Sequence, residues 1–139
     1  MAKSAQWNRA AAKVMSLPKA YLEAVVPAME KSANELADLQ KRFAPEDTGA
    51  LRESIIVTGP NQATPAYSQP GGSRVASENE VLVTAGDSEV RYAHLVEYGT
   101  KEAEAQPFFW PAARLLKKRM ANRVNRAGRK AIKDRLKHP

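Results

Sequence analysis

Asp47-Thr48-Gly49 is the tripeptide with the strongest chemical suggestion in this 139-residue chain. Two such carboxylates sharing one proton cleave peptides, and a homodimer would supply the second. That reaction sets the aspartate at the end of an apolar strand. Here Ala44, Pro45 and Glu46 precede it, directly after a helical pattern, and no second glycine-rich segment supports a catalytic loop. The tripeptide reads instead as a turn, with Asp47 or Thr48 accepting backbone N–H groups and Gly49 supplying the dihedrals. His94 offers an imidazole base with Glu97 three residues on, but no nucleophile is arranged around them, and triad chemistry needs a third group with a defined role. Asp87, Glu89 and Glu97 match no cation-loop spacing, and no phosphate-cradling glycine loop occurs. There are zero cysteines, and His94 and His138 are the two histidines. Thiol catalysis, zinc ribbons and disulfide frameworks are therefore excluded. No catalytic, metal-binding or cofactor-binding residue is assigned, and the chain reads as a non-enzyme.

Two further constellations suit binding. Phe108-Phe109-Trp110, flanked by Pro107 and Pro111, has the composition of a stacking platform for single-stranded nucleic acid. Its place at the head of an amphipathic helix favours a hydrophobic plug into the core or a neighbouring subunit. Three consecutive rings cannot all face one way, so at least one is expected to touch something other than its own core. The second constellation is charge. The chain carries 22 Lys and Arg against 15 Asp and Glu, for a net charge of +7. Eleven of the basic residues and a single acid, Asp134, fall after Ala112, leaving that stretch at +10 and the rest at −3. Such a run is often only a solvated face. With so few acids to pair, its repulsion is relieved when an acidic surface or a phosphate backbone approaches. Arg114, Lys117, Lys118, Arg119, Arg123 and Arg126 are the residues expected to make that contact, without base reading and with strong salt dependence.

The elements that carry these residues follow from periodicity. Ser4 to Met15 is Ala-rich and helical, ending near Leu17-Pro18. From Lys19 to Phe43 the positions Leu22, Val25, Val26, Met29, Ala33, Leu36, Gln40 and Phe43 trace a 3.6-residue stripe, apolar except at Gln40. Pro27 either kinks this helix or opens a fresh one, and Pro45 ends it. Glu53–Thr58 and Glu80–Ala85 read as strands of a hairpin, joined by a long Pro/Gly loop. A loop of this length without structure of its own is usually functional or disordered. Val90–Tyr98 leans helical. Pro111 opens a last helix with a narrow stripe at Ala112, Leu116, Met120, Val124, Ala127, Ala131 and Leu136, edged by Leu115 and Ile132. The expected fold is α+β: N-terminal helices, a small antiparallel sheet with a long hairpin loop, and a long basic C-terminal helix. We read one domain over 1–139, with a helical arm at 1–18, a core at 19–112 holding a flexible loop at 59–77, and the basic helix at 113–139. No run of about eighteen apolar residues predicts a membrane span, and the first residues do not read as a secretion signal.

Three segments in this order resemble a known family. They are Ala44-Pro45-Glu46-Asp47-Thr48-Gly49-Ala50-Leu51-Arg52-Glu53-Ser54-Ile55, then Tyr92-Ala93-His94-Leu95-Val96-Glu97-Tyr98-Gly99-Thr100, then Ala105-Gln106-Pro107-Phe108-Phe109-Trp110-Pro111-Ala112. Over roughly residues 20–135 the chain is similar to the gene-ten-like neck or tail-component family of lambdoid HK-type long-tailed phages. The resemblance implies a non-enzymatic virion protein of the neck, assembled in the host cytoplasm, that forms a homo-oligomeric ring, completes the tail and joins it to the head. It implies as partners further copies of itself, a tail terminator or tail tube protein, and head–tail connector proteins. Non-specific contact with DNA in the channel is added by the charge; no membrane is expected. Leu51, Arg52, Tyr92, Glu97, Gly99, Thr100, Phe108 and Pro111 carry the signature. They read as fold and interface residues: Gly99 for a turn, Leu51 and Phe108 as anchors, and Arg52 with Glu97 as an ion pair. The competing reading is a nucleic-acid-binding accessory protein that works through the basic helix.

Overall fold

The computed structural model describes residues 2–46 and 49–137. Helix α1, Ala2–Met15, is separated from helix α2, Leu17–Phe43, by Ser16 alone. The Ser16 amide and hydroxyl both turn back onto α1, the hydroxyl donating to the Lys13 carbonyl at 2.7 Å. Leu17-Pro18 therefore opens the second helix rather than closing the first, because a proline in the first turn forfeits an N–H that has no helical partner. Helix α2 runs unbroken through Pro27, which resolves the sequence alternatives without a fresh start. The proline lies on the exposed face, where water can take the carbonyl it leaves unbonded. Val25, Ser32, Ala33, Leu36, Ala37 and Gln40 form the buried face. Phe43, the last position of the expected stripe, is exposed.

Helix α3, Ala50–Glu53, occupies ground that the sequence reading gave partly to a strand. The Ser54 amide closes onto the Ala50 and Leu51 carbonyls and its hydroxyl donates to the Leu51 carbonyl at 2.6 Å. The strand begins only after that turn has buried Leu51 and Ile55. Strands β1, Ile56–Thr58, and β2, Leu82–Thr84, pair antiparallel with Ile56 opposite Thr84 and Thr58 opposite Leu82. Residues 59–77, read as a loop with little structure of its own, carry a ladder. Thr64 donates its amide to the Arg74 carbonyl, Asn61 to the Ala76 carbonyl and Ala76 to the Gln62 carbonyl. Gln69 and Ala85 exchange both backbone bonds at 2.9 Å, so the far leg folds back beside β2.

Helix α4, Ala93–Tyr98, leads by a tight loop into helix α5, Trp110–Lys137. Helix α5 lies antiparallel on α2. Phe109 meets Gln40, Arg123 meets Ser32 and Glu35, Gly128 meets Tyr21, and Arg135 meets Ser16. A Cβ on Gly128 would overlap the Tyr21 ring, so the glycine permits the close approach of the two helices. Ala37, Ala44, Leu51, Ile55, Ala85, Val90, Ala93, Phe108 and Phe109 make the core, at the end of the helix pair that holds the small sheet. The architecture is α+β. Among the described residues no helix is long and apolar enough to cross a membrane.

Candidate assembly surface

The start of α5 is held by Glu97. Its Oε1 accepts the amides of Phe108 and Phe109 at 2.9 and 2.8 Å, and its Oε2 accepts that of Trp110 at 3.2 Å. Helix N-termini leave amides without intrahelical partners, and a carboxylate both satisfies them and suits the positive end of the dipole. Glu97 can be buried here because its charge is spent on these donors. The loop between them is closed by Gly99, at φ +78°, where a Cβ would lie 2.8 Å from the Ala105 amide nitrogen. Thr100 Oγ1 accepts the amides of Glu102 and Ala103, and the Gln106 amide donates to the Val96 carbonyl. The segments 92–100 and 105–112 are thus one clasp.

The expected Arg52–Glu97 ion pair does not form. Arg52 reaches the Glu46 carboxylate at 2.7 Å and donates to the Lys41 carbonyl at 3.0 Å, tying α3 to the end of α2. Glu97 faces the other way, into the clasp. His94 is exposed while Glu97 is buried with both oxygens engaged, so the two do not form a base and its orienting acid. Asp47, Thr48 and His138 lie outside the described residues.

The aromatic trio divides its work. Phe108 and Phe109 are buried in the core, whereas Trp110 stays 38% exposed and its Nε1 donates to the Tyr98 hydroxyl at 2.8 Å. Tyr98 itself is 69% exposed. With Tyr92, which caps α4, and Leu95 it follows an i, i+3, i+6 spacing, leaving a row of large side chains on the outside. Pro70, Phe109 and Trp110 contribute to the walls of two neighbouring concavities. One is a small cleft of about 80 Å³ over His94 and Tyr98, the other an apolar groove of about 450 Å³ between α2, β2 and α5.

The six expected basic contacts separate into two sets. Arg119 and Arg123 both reach Glu35 of α2, at 2.8 and 3.0 Å, and Arg123 also donates to Ser32. Both pair across the helix–helix seam, Arg123 half-buried there and Arg119 still exposed. Arg114, Lys117, Lys118 and Arg126 are exposed and open to a partner.

Three positions with work to do were missed in the sequence: Ser54, Glu35 and Gly128. Ser54 Oγ accepts the Gly86 amide at 3.0 Å and welds α3 to the turn after β2. Glu35 neighbours Leu36 on the apolar stripe and pairs with Arg119 and Arg123 of the basic helix. Gly128 stands four residues after Val124 and three before Ala131, in phase with the α5 stripe, which is the signal that marks it as a packing glycine.

The accessible surface of the chain is 9516 Å², where a compact monomer of this length would show roughly 7,100 Å². The excess of about 2,400 Å² is about three times what one standard protein–protein interface removes from one partner. Compared with known families, residues 8–99 match the sequence model described as "Bacteriophage HK97-gp10, putative tail-component". The matched span takes in the first two signature segments up to Gly99 and stops before the Pro-Phe segment. No curated protein and no solved structure matches.

Proposed function

Because this chain belongs to the HK97-gp10-like family of bacteriophage tail components, we propose that it is a structural subunit of the phage neck. It self-associates into a ring, completes the tail and joins it to the DNA-filled head. Its partners are further copies, a tail terminator or tail tube protein, and the head–tail connector. It works by shape-matched burial and makes or breaks no covalent bond. The observation that carries this reading is the set of large apolar side chains left exposed in defined secondary structure, Tyr98, Leu95 and Trp110 among them. A phage lacking the protein is expected to accumulate full heads and separate tails in negative-stain images. Joined, infectious particles from that mutant would overturn the proposal.

The exposed set Arg114, Lys117, Lys118 and Arg126 favours a second reading, in which the chain binds nucleic acid through its phosphates. A salt-titrated binding assay separates the two. Tight binding by a monomer with a steep salt slope supports the second reading; negligible binding alongside concentration-dependent oligomers supports the first.

A further inference from the structure

The outer face of α5 carries charge that nothing else in the chain neutralises. At about 3.6 residues per turn, Lys118, Asn122, Arg126, Arg129 and Lys133 fall within one arc of the helix, with Lys130 at its edge, and all six are exposed. Among the described residues none of the five cations makes an ion pair. The nearby acids are engaged elsewhere: Glu35 holds Arg119 and Arg123, and Asp134 lies on the α2 side in a hollow with Lys19 and Glu23. Two shallow hollows between the outer side chains meet at Asn122 and Arg126, so the strip is continuous. From Lys118 to Lys133 it is about 22 Å long. Arg129, Lys130 and Lys133 lie beyond the last basic contact expected from the sequence, Arg126.

The composition of the strip selects its partner. A basic helix that lies on a membrane sinks its apolar side into the headgroup boundary. In α5 that side is turned to α2, where Met120 and Val124 share a groove with Met29 and Leu36, and Ala131 adjoins Ala20. A protein partner favours an interface whose centre is apolar and poor in charge. Between Lys118 and Lys133 the arc has no apolar residue; Ala121 and Ile132 lie off to one flank. Strong positive charge over a polar surface is instead the character of protein–DNA interfaces. Single strands are held by stacking bases on aromatic rings, and no Phe, Tyr or Trp follows Trp110. The deep, narrow major groove of duplex RNA is closed to side chains, whereas that of B-form DNA admits a helix.

We infer that the outer face of α5, from Lys118 to Lys133, binds the phosphates bordering the major groove of double-stranded DNA. The strip spans roughly six base pairs at about 3.4 Å each. Binding is driven by charge and the release of counterions, so it carries no sequence preference. This deepens the nucleic-acid reading given above and rests on it for the class of ligand.

The test is fluorescence anisotropy of the full-length chain with a labelled 24-base-pair duplex, titrated with salt. Five phosphate contacts predict that log K falls against log salt with a slope of about −4 to −5. The double variant Arg129→Ala, Lys133→Ala, changed only at exposed positions, is expected to flatten that slope by about 2. Lys31→Ala removes an exposed cation from α2 and is expected to leave the slope unchanged. A double variant with the wild-type slope, or a Lys31→Ala slope that flattens as much per charge, would overturn this site while leaving nucleic-acid binding standing. Affinity for the single strand or for duplex RNA equal to that for duplex DNA would overturn the choice of ligand. Displacement of the duplex by polyglutamate as effective, charge for charge, as by unlabelled duplex would assign the strip to an acidic protein and overturn it too. No binding to any nucleic acid at 50 mM salt would overturn both this inference and the reading it rests on.

Discussion

The carboxylate of Glu97 sits 2.8 Å from the amide nitrogen of Phe109, twelve residues downstream, and this contact with its two neighbours decides where α5 begins. The core aromatics and the basic helix both hang from it.

Glu97→Ala is therefore expected to strand buried amides at the start of α5. Losing a charged acceptor shared by three donors costs about 3–5 kcal/mol, read as a lower urea midpoint with an unchanged slope. Glu97→Gln keeps an acceptor oxygen but not the charge, and is expected to cost about 1–2 kcal/mol.

Two glycines with the same φ of +78° are expected to respond differently. At Gly49 nothing lies within 4 Å of an added Cβ, so Gly49→Ala costs only the backbone term of about 1–2 kcal/mol. At Gly99 the Cβ also meets the Ala105 amide and the Ala103 carbonyl, and overpacking adds about 1–3 kcal/mol. Equal midpoints for the two variants in urea would contradict this.

Gly128→Ala would ordinarily gain about 1 kcal/mol in a helix interior. Against Tyr21 it is expected to lose about 1–3 kcal/mol instead. Adding Tyr21→Leu should restore part of the loss, giving a coupling energy in a double-mutant cycle well outside the additive range of about 0.5 kcal/mol.

Arg123 and Lys118 test the division of the basic helix. Arg123→Ala removes hydrogen bonds to Glu35 and Ser32 and is expected to cost about 1–3 kcal/mol. Lys118→Ala is expected to change stability by less than about 0.5 kcal/mol while lowering any salt-dependent DNA affinity. The reverse ranking would remove Arg123 from the seam.

The helices were legible because a 3.6-residue stripe survives in any context. Even Gln40, the polar exception in the α2 stripe, proves fully buried, its Nε2 donating to the Phe109 carbonyl at 3.3 Å. What was not legible depends on partners far along the chain. Arg52 and Glu97 look like natural ion-pair partners, yet each is claimed by groups nearer in space: Glu46 for one, the amides of α5 for the other. The short α3 was hidden because Ser54, which ends it by bonding back to Leu51, also suits the start of a β-branched strand. The ladder within 59–77 was hidden because its bonds run through backbone and Thr64, with no alternating pattern to betray them.

The joint at Ser16 has a mechanical consequence. Its hydroxyl is gripped by Arg135, near the end of a helix whose beginning is fixed by Glu97. The arm beyond it is about 21 Å long, so a swing of ten degrees at the joint carries its tip by about 4 Å. Substitutions at Ser16 or Arg135 are therefore expected to change where the arm points before they change the stability of the core.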